Sequence, residues 1–357
     1  MSSQGQFNVN RGAVFAGLGE TCVDAGIIVI NGTNAIQTGR TVEQAAGVWY
    51  GNNIFSGPGT FVWSGGTIAA AISLQTNIAF NITGAAQKLL DISGAPGVIR
   101  SPGPGMWTGA GTVYCDAASV FENDGTFTVQ NDSSFAGYTG GSPFPVFINN
   151  GTFRKNTTTG TTIFHSDNGG VAFNNNGTVD LQTGSLAING RYTLSGSPQL
   201  KLALGGLNPG TQFSQETFAG SATLGGILSV TLANGFMPTN GQSFAVVTYG
   251  SESGQFASQQ LPALPSDLAW QLTYGATAVT LNVVRATIIT DATRLANGHF
   301  QFSLSGPSAT SALIQASTNL VDWTSLQTNT PFSGLLLFDD AQAVGYPVRF
   351  YRVLLLP

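Results

Sequence analysis

Charge is scarce in this chain: only 8% of its 357 residues are Asp, Glu, Lys or Arg, against about 25% in an ordinary soluble domain. The 12 basic residues are outnumbered by 17 acidic ones, for a net charge of −5, and no basic run occurs. A phosphate backbone therefore finds little to bind, which argues against nucleic acid as a partner. Histidine is nearly absent too. With only His165 and His299, a zinc site built from several histidines of one chain is excluded. Cys22 and Cys115 have the spacing of neither a metal site nor a disulfide framework and read as isolated thiols. No stretch reaches the roughly 18 apolar residues of a membrane-spanning helix, so no transmembrane segment is expected. The opening Met1-Ser-Ser-Gln-Gly-Gln-Phe lacks the basic and apolar regions of a secretory signal.

What fills the gap is Gly, Ser, Thr and Asn. The 47 glycines are roughly twice the usual share, yet 23 phenylalanines and many valines and isoleucines supply a core that a disordered chain would lack. Weak charge, frequent turns and an adequate core together predict many short strands. Three segments align without gaps: Val120-Phe-Glu-Asn-Asp-Gly-Thr-Phe-Thr-Val, Val146-Phe-Ile-Asn-Asn-Gly-Thr-Phe-Arg-Lys and Ala172-Phe-Asn-Asn-Asn-Gly-Thr-Val-Asp-Leu. A period in the twenties with strand composition is the signature of coils stacked in a parallel solenoid.

Strand alternation assigns faces to these columns. Phe121, Phe147 and Phe173 stack inside, as do Phe127, Phe153 and Val179, while Thr128, Arg154 and Asp180 point outward. Neighbouring coils lie about 4.8 Å apart, which brings Arg154 and Asp180 within pairing distance. Asn123, Asn149 and Asn175 are placed for an amide ladder from coil to coil. The glycines after them are expected to supply positive φ at a tight corner. Lys155 breaks its column of Val129 and Leu181, and a bulge or an outward-reaching ammonium is expected there. Upstream, Gly59-Thr-Phe-Val-Trp echoes Gly105-Met-Trp, with Trp63 and Trp107 in matching places. Ile78-Ala-Phe-Asn-Ile-Thr-Gly and Leu89-Leu-Asp-Ile-Ser-Gly each read as a strand ending in a turn. Thr41-Val-Glu-Gln-Ala-Ala-Gly is the one stretch with helical potential.

From Leu200 the strands lengthen, and Ala269-Trp-Gln-Leu-Thr-Tyr and Ala278-Val-Thr-Leu-Asn-Val flank Gly275 as a hairpin. The run Leu224-Gly-Gly-Ile-Leu-Ser-Val-Thr-Leu, Gly235-Phe-Met-Pro, Gly241-Gln-Ser-Phe-Ala-Val-Val-Thr-Tyr-Gly and Ser253-Gly-Gln-Phe resembles the segment that ends β-solenoid regions in large bacterial surface and autotransporter-like proteins. Ala316-Ser-Thr-Asn-Leu-Val-Asp-Trp-Thr-Ser-Leu and Arg349-Phe-Tyr-Arg-Val resemble a small C-terminal β-module of secreted proteins from Verrucomicrobia and related bacteria. The expected fold is all-β: a parallel β-solenoid (β-helix) over 1–195 with its clear 26-residue repeats at 120–181, a solenoid-end capping segment over 196–285, and a small β-sandwich module over 286–357. The resemblance implies an extracellular or cell-surface bacterial protein, its signal sequence missing from this chain.

Candidate chemistry is thin. His165 and Asp167 form the best local acid–base pair. Asp124, Asp132, Asp167 and Asp180 with surrounding amides are oxygen donors of the kind calcium takes, although no EF-hand or nonapeptide calcium motif is present. The metal content stays open. Arg154 and Asp180 offer an outward charged pair, and Trp63 and Trp107, with Trp49, Tyr50, Tyr114 and Tyr138, would stack on sugar rings if exposed. The leading expectation is a structural or adhesive surface protein contacting extracellular glycans or other surfaces, and self-associating through the solenoid ends. The alternatives are an extracellular hydrolase or lyase acting on a glycan, ester or lactone with calcium assistance, and a carbohydrate-binding protein without turnover.

Overall fold

The computed structural model describes residues 5–91, 97–306, 308 and 311–356. The chain divides into two compact units. The first comprises Met1–Phe236, Phe244–Pro262 and Tyr274–Thr280; the second comprises Met237–Ser243, Ala263–Thr273 and Leu281–Pro357.

In the first unit, four-residue segments alternate apolar and polar, and each turns a corner at a glycine or amide. A segment that short cannot bury its apolar face alone, so it stacks on the coil beneath. The result is the expected parallel β-solenoid, with three strands per coil and therefore three faces. One face holds eleven parallel strands among the described residues, from Gly19–Val23 to Ser258–Gln260. A second runs through Val120–Asn123, Val146–Asn149 and Ala172–Asn175 in the register expected from the repeat. The remaining face includes Val113–Cys115, Ser134–Gly137 and Thr161–Phe164. Near the start, Val48–Ser56 serves two faces at once. It bends at Gly51, whose φ is +110° and where a Cβ would lie 2.0 Å from the Ile30 carbonyl oxygen; only glycine turns there.

The coils continue beyond the clear repeat: Gln199–Leu204 pairs with Thr178–Leu181 on one side and Ile227–Leu232 on the other, all parallel. Arg40–Gln44 is a strand, not a helical turn. It fills a place between Gly19–Val23 and Thr60–Trp63, and a helix there would leave both neighbours with unpaired backbone groups. Lys88–Leu90 is also a strand, while the turn expected at Ser93-Gly94 lies outside the described residues. Gly275 N donates to Ala278 O at 2.8 Å and closes the expected hairpin turn.

The core is a pile of aromatic rings. Phe121, Phe147 and Phe173 stack with centroids 4.9 and 5.5 Å apart, and Phe135 lies parallel to Phe164 at 5.0 Å. Pairs of this kind contribute about 0.5–1.5 kcal/mol beyond area burial. The glycines of the repeat answer to a different constraint from the one expected. Gly125, Gly151 and Gly177 are absent from the positive-φ positions. A Cβ on them would instead lie 2.1, 2.0 and 2.1 Å from the carbonyl oxygens of Gly103, Gly125 and Gly151. Close approach between coils, and not a left-handed turn, excludes every side chain from that corner.

The second unit is antiparallel. Ile288–Arg294, Phe300–Ser305 and Leu335–Asp340 form one sheet; Thr324–Asn329, Ser311–Ser317 and Phe350–Leu356 form another. Phe302, Leu304, Ala312, Ile314, Phe332 and Phe338 make a shared core between them, the arrangement of a small sandwich.

Candidate functional site

The structure scatters the residues singled out from sequence. Trp63 and Trp107 occupy one inward column with Ile82 between them, and both are fully buried. Neither ring has a face for a sugar, which corrects the expectation of a stacking platform. Trp49 is buried as well. Of the six aromatics only Tyr138 is exposed, lying edge-on to Tyr114 at 6.1 Å.

Arg154 and Asp180 do meet. They are register partners on adjacent strands, with Arg154 Nε 2.8 Å from Asp180 Oδ2, and Gln182 donates to the same oxygen at 3.1 Å. Arg100 and Glu122 repeat the device at 2.8 Å. Such cross-strand pairs contribute about 0.2–1 kcal/mol. His165 Nδ1 and Asp167 Oδ2 are 3.8 Å apart, with the aspartate side chain 82% exposed. That separation is beyond hydrogen-bond reach. The pair sits between Thr161–Phe164 and Ala172–Asn175, with Asp167 opening the 3-10 turn Asp167–Gly169.

Of the four aspartates considered for calcium, Asp167 is exposed on its turn and the other three are engaged separately. Asp124 accepts from Asn150 at 2.7 Å, Asp132 from Lys155 at 2.7 Å, and Asp180 from Arg154. Among the described residues no three His, Cys, Asp or Glu side chains gather around a common point.

The buried polar groups are where the sequence reading is both right and incomplete. The amide ladder forms: Asn123 Nδ2 donates to Asn149 Oδ1, and Asn149 Nδ2 to Asn175 Oδ1, each at 2.8 Å. The same nitrogens reach Thr152 O at 3.1 Å and Thr178 O at 2.9 Å. A second series runs outside it: Asn176 donates to Asn150 at 2.8 Å, and Asn150 to Asp124.

Lys155 neither bulges nor reaches out. Its strand holds register on both sides, its side chain is fully buried, and the ammonium lies inside a corner. There it donates to Asn131 O at 2.6 Å, Asp132 Oδ1 at 2.7 Å and Thr158 Oγ1 at 2.8 Å. Burial lowers the Lys155 pKa, an effect the Asp132 hydrogen bond opposes. Burial raises that of Asp132, but its bonds to Lys155 and Thr158 leave it below the ordinary value. The same corner of other coils is filled in the same way. Gln44 Nε2 donates to Ala46 O at 2.8 Å, Lys88 Nζ to Ala86 O at 2.8 Å, and Asn131 Nδ2 to Gly109 O at 2.7 Å. Lys88 is fully buried, and desolvation pushes its pKa down to about 8. A row of internal donors thus satisfies the turn carbonyls that no strand reaches.

Further along, Glu216 is 3% exposed and its Oε1 has no hydrogen-bond partner. Burial pushes its pKa up to about 8, and that of the neighbouring Tyr192 well above the ordinary value. In the second unit, Asp340 accepts from Arg349 at 2.6 Å, from Tyr351 at 2.8 Å and from Gln342 N at 3.0 Å. His299 Nδ1 lies 3.0 Å from Asp339.

Fold and side-chain placement together define a three-faced β-solenoid whose polar interior is bonded to its own turns, with a small antiparallel unit. No family model matches the chain, and no curated protein matches it in sequence.

Proposed function

We propose that the chain is a structural protein, a stiff β-solenoid spacer displayed outside a bacterial cell. The observation that carries this reading is the destination of the buried polar groups. Gln44, Lys88, Asn131, Lys155 and the Asn123–Asn149–Asn175 ladder bond to backbone or to each other, coil after coil. Catalysis calls for the reverse, with titratable groups converging on a cleft. The placement at a cell surface rests on the resemblance of the 224–256 and 316–353 segments to bacterial surface and secreted proteins, and the solenoid fold is compatible with it.

Antibody against the purified protein should label intact cells of the source organism as strongly as permeabilised ones. Labelling that requires permeabilisation rejects the location. The purified protein should also leave a panel of glycans, esters and lactones intact, with or without calcium. Turnover that disappears on Asp167→Ala or His165→Ala would replace the structural reading with the hydrolase or lyase.

A further inference from the structure

The second unit holds a polar concavity of about 530 Å³, within the range of about 300–1,000 Å³ typical of small-molecule sites. It is lined by the ends of three strands, Ser311–Ser317, Thr324–Asn329 and Leu335–Asp340, together with the segment after Asp340. Its acidic groups are largely committed. Asp340 is 5% exposed and accepts from Arg349, Tyr351 and the Gln342 backbone. Asp339 faces His299 at 3.0 Å, and Asp322 accepts from Asn319 at 2.8 Å.

The uncommitted groups are of another kind. Among the described residues, the side chains of Thr318, Thr324, Gln327 and Gln342, all in this lining, make no hydrogen bond within the protein. Hydroxyls and primary amides each donate and accept. So does the hydroxyl of a sugar, and that two-way demand distinguishes a polyol from an ion. The carboxylates of Asp322 and Asp339 repel an anion. Against a cation, each carboxylate of the lining already faces a protein partner: Asn319 for Asp322, the His299 ring for Asp339, and Arg349 and Tyr351 for Asp340. Tyr346, 38% exposed, adds an aromatic surface of the kind on which the CH face of a pyranose packs. Its ring is fixed by the Arg349 guanidinium 4.4 Å from the centroid.

We infer that this concavity binds a neutral saccharide unit, with Gln327 and Gln342 as its principal hydrogen-bonding groups. The inference gives the proposed surface protein a ligand, and rests on that reading only for its biological setting, since binding is measured on purified protein. The test is saturation-transfer NMR of the whole chain against neutral methyl glycosides and oligosaccharides, with a uronic acid and spermidine as controls. Millimolar binding of at least one neutral saccharide is expected, weakened about tenfold or more in Gln327→Ala/Gln342→Ala, as befits loss of about one good hydrogen bond. Both glutamines are exposed, so the variant should keep its circular dichroism; if it does not, Thr324→Val serves in its place. Tyr138→Ala, in the other unit, should bind normally. Three results overturn the site: no neutral saccharide bound, binding undiminished in the variants, or binding of spermidine or the uronic acid alone. None of these affects the labelling of intact cells, so the two readings fail separately.

Discussion

The coils around Asn149 and the coil around Glu216 share one backbone plan and treat buried polar groups in opposite ways. In the first, a strict repeat places like above like. Asn149 is fully buried, yet it donates to Asn175 and accepts from Asn123. In the second the repeat has ended. Leu194 follows Asn175 in the ladder column, and Tyr192 takes the place of Phe173. Glu216 is flanked in its own column by Leu186 and Val247, neither of which can bond to it. Repetition makes a polar core self-satisfying, because every residue brings the partner that its neighbour needs. Without it the same burial leaves an orphan, and the group answers by keeping its proton.

The comparison breaks most sharply on its aromatic half. Phe147→Ala, in the middle of the ring stack, should destabilise the solenoid by about 3–5 kcal/mol in chemical denaturation, and Phe218→Ala, beyond the repeat, by less. Equal losses would mean that stacking in register adds nothing. Asn149→Ala orphans groups on both neighbours and should cost about 2–4 kcal/mol; a loss well under 1 kcal/mol would show the ladder to be incidental.

Glu216 tests the other side. Its folded pKa of about 8 lies above the ordinary 4.5, so the folded state retains a proton that the unfolded state releases. Its contribution is complete below the unfolded value and is lost as pH rises towards 8. Between about pH 5 and pH 7 the loss reaches up to about 2–3 kcal/mol. Glu216→Gln should abolish that decline, and an unchanged pH profile in the variant would remove Glu216 as its source. Arg154→Ala is the smallest change, at most about 1 kcal/mol and less in high salt.

The parts of the fold legible in sequence are those that recur. Columns at 121, 147 and 173, the amide ladder and the Arg154–Asp180 pair follow from one register and strand alternation. The burial of Trp63 was legible too. Gly59-Thr-Phe-Val-Trp aligns with Gly125-Thr-Phe-Thr-Val, which places Trp63 in the inward column of Val129, as the shared face confirms. The internal corner was not legible. Gln44, Lys88 and Lys155 stand at inward positions where pattern alone demands an apolar residue, and only the path of the turn shows which carbonyls they meet. The concavity of the second unit escaped for a similar reason, since Gln327 and Gln342 lie on separate elements and belong to no motif.

The close approach of Gly125, Gly151 and Gly177 to the coil below has a consequence for how such a chain can change its length. Glycine sets the same gap between these coils, and there the columns of two of the three faces repeat every 26 residues. Removal of residues 146–171 would therefore bring Phe173 onto Phe121 and Asn175 onto Asn123 in the pairing they already use one coil apart. On those two faces the molecule is a ruler with whole-coil graduations; on the third, Phe135 would meet Ile188 in place of Phe164.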